Sequence, residues 1–132
     1  MIRRFSGLVL VAFLSAACGQ SAATPARPTL SIGNWTSVTI TLVVNGRVVE
    51  SVPPGWVEDP VTAAVPSRPW RVEAQLPNGR VVATFTILAT DDISSTSGKA
   101  ARVDLACGRV DIWSGPPLLG PGSSPDPSKP CD

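Results

Sequence analysis

Histidine and tyrosine are absent from the 132-residue chain, and only three cysteines and one methionine occur. Without histidine there is no His-based triad or dyad and no imidazole zinc ligand. Nor is there a side chain whose ordinary pKa makes it a base near neutral pH. Charge is sparse as well: 16% of residues are charged, with 11 Lys and Arg against 10 Asp and Glu. No run of Lys or Arg forms a basic patch, so nucleic acid and an anionic lipid surface are not invited as electrostatic partners. Long apolar runs are missing too. The longest nearly unbroken one, Gly7 to Ala17, holds 11 residues, whereas crossing ~30 Å of hydrocarbon takes about 20.

What is present at the start is a targeting layout. Arg3 and Arg4 precede the short apolar run, the basic n-region and h-region of a secretory signal over residues 1–17. At its end Ser15-Ala16-Ala17-Cys18 resembles a bacterial lipobox, in which the cysteine becomes the lipidated N-terminus, although Ser15 stands where that motif usually has Leu. Ordinary signal-peptidase cleavage stays open at Ser15-x-Ala17 and Ser21-x-Ala23, which would give a soluble secreted protein. With Cys18 taken as the lipid carrier, Cys107 and Cys131 remain as an even pair, expected to bond in an oxidising compartment. Removing residues 1–17 also removes Arg3 and Arg4, leaving nine basic against ten acidic residues. The opening arginines belong to targeting.

Residues 18–28 continue with Gly, Gln, Ser, Ala, Thr and Pro and one arginine, a flexible linker with little to bury. Residues 114–132 form a Pro- and Gly-rich tail, unsuited to a helix or an interior strand and expected to be pinned by the Cys107–Cys131 bond. Between them, over 29–113, apolar residues alternate with polar ones and no helical period appears. In VTITLVVNGRVVESV two β-branched runs meet at Asn45-Gly46, a strong hairpin signal. Pairing Val44 with Arg47 predicts Leu42 opposite Val49 and Thr41 opposite Glu50. In PWRVEAQLPNGRVVATFTIL the hydrophobic pattern selects a Pro77–Arg80 loop. It puts Trp70, Val72, Ala74 and Leu76 against Ile87, Phe85, Ala83 and Val81 on the inward face. Arg71, Glu73 and Gln75 face outward, with Gln75 opposite Val82.

In ARVDLACGRVDIW the inward parity changes between Cys107 and Val110, which predicts a β-bulge at Gly108. A strand near Leu30 to Gly33 and a short irregular piece from Trp56 to Val65 bring the count to about seven. The expectation is an all-β fold, a small antiparallel immunoglobulin-like sandwich.

Candidate chemistry is thin. The SSTSGKA stretch at 94–100 lacks the first glycine of a phosphate loop and has Ala100 where that motif needs Ser or Thr, so it reads as a solvated loop. Asp91-Asp92 and Glu58-Asp59 are adjacent pairs, whereas calcium sites collect six to eight oxygens from spaced positions. Asp104 and Asp111 are expected at outward positions, paired with Arg102 or Arg109. Trp70 is expected in the core. Trp35 and Trp56 flank turns and could form a stacking platform for a sugar or peptide. Leu118 and Leu119 sit on a proline-stiffened stretch beside Trp113; together they are either a partner surface or a lid over one end of the sandwich.

NWTSVTITLVVNGRVV followed by PPG, then PSRPWRVEAQLPNGR, then LACGRVDIWSGPPLLGPG with a near-terminal cysteine resembles uncharacterised bacterial secreted lipoproteins with an immunoglobulin-like β-sandwich domain. The resemblance implies export and a β-sandwich, with no assigned activity and no catalytic or cofactor-binding residues. The expected function is that of a non-catalytic lipoprotein, tethered to the membrane outside the cytoplasm, that binds or supports an envelope partner. A glycan or small-ligand binder using surface tryptophans is the alternative. Cys18 is the expected lipidation site, and Trp113, Leu118, Leu119, Trp35 and Trp56 the candidate partner surface.

Overall fold

Eight strands and no helix make up the computed structural model, which describes residues 29–131 except 59, 62, 95, 96 and 117–123. They are β1 (Leu30–Thr36), β2 (Ile40–Val44), β3 (Arg47–Val52), β4 (Trp56–Glu58), β5 (Trp70–Gln75), β6 (Val81–Ile87), β7 (Lys99–Leu105) and β8 (Gly108–Ser114). Two four-stranded sheets result, ordered β4-β1-β8-β7 and β3-β2-β5-β6, and every pairing is antiparallel. The fold is thus an all-β sandwich with one strand more than expected. Its core is the set of inward residues from both sheets, including Leu30, Ile32, Val110 and Ile112 facing Ile40, Leu42, Val72 and Ile87, all at most 1% exposed. Burying each such side chain contributes on the order of 1.5–3 kcal/mol.

The extra strand comes from the phase change before Val110. Instead of a bulge in one long strand, Ala106 and Cys107 form a two-residue turn between β7 and β8, and Leu105 pairs with Gly108. A hairpin also shifts inward parity, so the sequence pattern alone does not separate the two solutions. The positive φ falls on Gly108, at 130°. A Cβ there would overlap the carbonyl of Trp35 on the neighbouring β1, so glycine is required on both grounds.

The Asn45-Gly46 hairpin forms as expected at its turn, with φ of 52° and 78° and Val44 paired with Arg47. Farther along the expected register fails: Leu42 pairs with Glu50 and Thr41 with Ser51. The cause is the spacing of Val49 and Val52, both buried although three positions apart. Regular alternation would carry Ser51 into the core opposite Ile40. A bulge at Val49 absorbs one residue and brings Val52 opposite Ile40 instead.

The second hairpin keeps the expected pairs Trp70–Ile87, Val72–Phe85 and Ala74–Ala83, but a shift next to the loop pairs Gln75 with Val81 instead of Val82. Leu76 bonds Arg80 rather than facing Val81: its amide donates to the Arg80 carbonyl at 2.9 Å, while the Gly79 amide donates to the Leu76 carbonyl at 2.8 Å. Pro77 therefore sits at the second turn position. Phe85 is only half-buried because β6 is an edge strand. Glu73 and Gln75 are half-buried rather than exposed, since Glu73 takes a 2.8 Å ion pair from Arg71 and a 3.0 Å hydrogen bond from Gln75.

Candidate functional site

The two ends of the sandwich differ in what they carry. At one end lie the β3–β4, β5–β6 and β7–β8 turns, together with the described part of the tail. Cys107 and Cys131 form the disulfide there, with Cα atoms 4.9 Å apart, and Arg80 donates a 2.8 Å hydrogen bond to the Cys131 carbonyl. Pro125 approaches Gly55 in the β3–β4 turn. The tail is therefore bonded to two turns and lies near a third. Cys18, Leu118 and Leu119 lie outside the described residues.

Of the expected aromatic surface, the structure brings Trp35 and Trp113 together and leaves Trp56 apart. On the outward face of β1 and β8, a Cβ at Gly33 would meet the Trp35 indole nitrogen at 3.1 Å and the Trp113 ring at 3.7 Å. Gly33 thus leaves room for both rings. Trp113 is 5% exposed and Trp35 half-buried, so they pack rather than display a flat platform. Trp56 pairs in register with Asn34, and paired residues share a face, which is the face opposite Trp35. It is 53% exposed on the short edge strand β4.

Beside Gly33, Asp111 is on the outward face as expected, yet it is buried there. Arg102 reaches it from β7 at 2.7 Å and Arg109 from its own strand at 3.4 Å. The expected ion pairs are present, but the carboxylate is held between two guanidinium groups under neighbouring side chains, which is how a charge can remain in a buried place. Ser31 and Gly33 are buried on this same face. The central strands of this sheet are therefore covered on both sides, unlike an antiparallel sheet with one wet face.

Asn34, unrecognised as special from its sequence, makes the densest polar knot. Its side-chain nitrogen donates to the carbonyls of Val38, Val52 and Pro53 at 2.8, 2.9 and 3.1 Å, and its oxygen accepts from the Thr36 amide at 3.0 Å. The Asn-x-Thr spacing on a strand puts both side chains on one face. That is the signal the sequence held.

At the opposite end, where the described chain begins at Thr29, an open pocket of about 610 Å³ lies beneath the loop joining β4 to β5. Leu30, Val61, Trp70 and Arg68 are among its walls. The Trp70 indole donates to the Pro66 carbonyl at 2.6 Å, fastening that loop to β5. Among the described residues no group of three or more His, Cys, Asp or Glu is placed to hold a metal ion. Compared with family models, with curated proteins and with solved structures, the chain matches none.

Proposed function

We propose that the chain is an exported lipoprotein: residues 1–17 act as a signal peptide, lipidated Cys18 tethers the protein to the cell membrane, and the immunoglobulin-like sandwich serves outside the cytoplasm as a non-catalytic binding or structural module. The observation that carries this reading is the Cys107–Cys131 bond. Disulfides persist where the environment is oxidising, and this one accounts for two of the three cysteines, leaving Cys18 as the odd thiol at the lipobox-like Ser15-Ala16-Ala17-Cys18. The fastened tail and the two-sided cover of one sheet support a rigid body presented at the end of a linker, with an envelope protein or glycan as partner. Glycan stacking on tryptophans has weaker support, because Trp56 lies on the face opposite Trp35 and Trp113 is buried.

Fractionation tests the reading. Wild-type protein should sediment with membranes and partition into detergent, and Cys18→Ala should move it to the soluble extracytoplasmic fraction. Equal distribution of the two would overturn the anchor.

A further inference from the structure

We propose that the pocket at the Thr29 end is a binding site for a small amphipathic carboxylate, an apolar chain or ring with one terminal anionic group. The floor is apolar: Leu30, Val61 and Trp70 are 1%, 9% and 3% exposed, and Ala63, Val65 and Pro66 continue the wall. A volume of about 610 Å³ falls within the range of small-molecule sites, which combine apolar walls with a few placed polar groups. Arg68 is the one charged residue among the described lining. Its charge decides the class of ligand.

Arg68 is positioned by a backbone carbonyl and not by an ion pair among the described residues. One guanidinium nitrogen donates to the Asp91 backbone carbonyl at 2.6 Å. The carboxylate of the same Asp91 is already held by Lys99 at 2.6 Å and by the Leu88 amide at 2.7 Å. Lys99 answers the Asp91 charge, so the Arg68 charge stays available to a ligand on the described lining. A guanidinium has five donors in a planar fork that matches a carboxylate, and here one anchoring bond holds that fork in place before a ligand arrives. Preorganised groups lose less freedom on binding. An apolar body fits the walls, and a single anion fits the fork. Neither feature depends on Cys18 being lipidated.

Decanoate, kept below its self-association concentration, is the probe, followed at low salt by calorimetry and by the intrinsic tryptophan fluorescence, to which Trp70 contributes. The mature chain should bind one equivalent saturably, about tenfold or more tightly than it binds decanol, since charge-assisted pairing is roughly twice as strong as neutral pairing. Decyl phosphate distinguishes a lipid-headgroup source, and decanoate should be preferred. Arg68→Gln should bring decanoate down to the affinity of decanol, whereas Arg68→Lys should keep part of the preference. If Arg68→Gln does not fold, the decanoate-to-decanol ratio of the wild type decides alone. No saturable binding of decanoate, equal binding of decanoate and decanol, preference for decyl phosphate, or a preference unchanged in Arg68→Gln would each overturn the assignment.

Discussion

Asn34 and Thr36 meet inside the sandwich, where the Thr36 hydroxyl donates to the Asn34 side-chain oxygen at 2.7 Å and both residues are 0% exposed. The Val38 carbonyl, 3.0 Å from the same hydroxyl, accepts from the Asn34 amide, which also serves Val52 and Pro53 across the gap to the other sheet. Two side chains thus satisfy backbone groups of the crossing from β1 to β2 and of the end of β3. Asn34→Ala takes this donor from the buried Val52 carbonyl and from the part-buried Val38 and Pro53 carbonyls, and should destabilise the fold by about 2–4 kcal/mol. Denaturant unfolding of the disulfide-intact protein measures it. A loss below about 1 kcal/mol would show that water enters freely.

Gly108 and Gly46 offer a paired comparison, since both have positive φ but only one is crowded. Nothing lies within 4 Å of a Cβ at Gly46, so Gly46→Ala should cost ~1 kcal/mol from backbone conformation alone. Gly108→Ala adds overlap with the Trp35 backbone and should exceed ~3 kcal/mol or prevent folding. Equal losses in thermal melts of the two variants would contradict the close approach of β8 to β1.

The position of Gly108 shows how far the sequence could be read. Alternation in β1, β2, β5 and β6 revealed an antiparallel sandwich and most of the second hairpin's register, because a one-residue slip would have buried Arg71 and Glu73. A change of inward parity has two geometric solutions, a bulge or a turn, and nothing in LACGRV separates them without the neighbouring strand. Val49 and Val52 did hold the clue to the first hairpin's bulge, in their odd spacing. The pocket could not be read at all. Its walls are Pro, Ala and Val from an irregular loop, and Arg68 acquires meaning only from the Asp91 carbonyl 23 positions away.

Reducing the Cys107–Cys131 bond should lower stability by about 3.5 kcal/mol, the chain-entropy value for residues 24 apart in sequence. It should also release the tail, whose last residues are otherwise held by the bond and by Arg80. Limited proteolysis should then cut after Ser114 in the reduced protein and spare the oxidised one. Equal cleavage in both would show that the bridge does not restrain this segment.

Asp91 sets a pH dependence whose sign is fixed by its partners. The Lys99 ammonium, through its hydrogen bond, and then the Leu88 amide hold the carboxyl below the usual carboxylate range. A depressed folded value means that this stabilisation is present above the ordinary pKa of about 4 and is lost as pH falls through the folded value. The stability gap between wild type and Asp91→Asn should therefore stay constant from neutral pH to about pH 5 and narrow below about pH 4. Unfolding titrations at successive pH values measure it, and a gap independent of pH would contradict the Asp91–Lys99 pairing.

The most direct test of the central claim, a lipid-anchored sandwich closed by one disulfide, is the intact mass of the chain purified from native membranes without reduction. That chain should begin at Cys18, carry covalent lipid and gain two hydrogens when Cys107 and Cys131 are reduced. An unmodified chain beginning at Thr24, the product of cleavage after Ser21-x-Ala23, would contradict it.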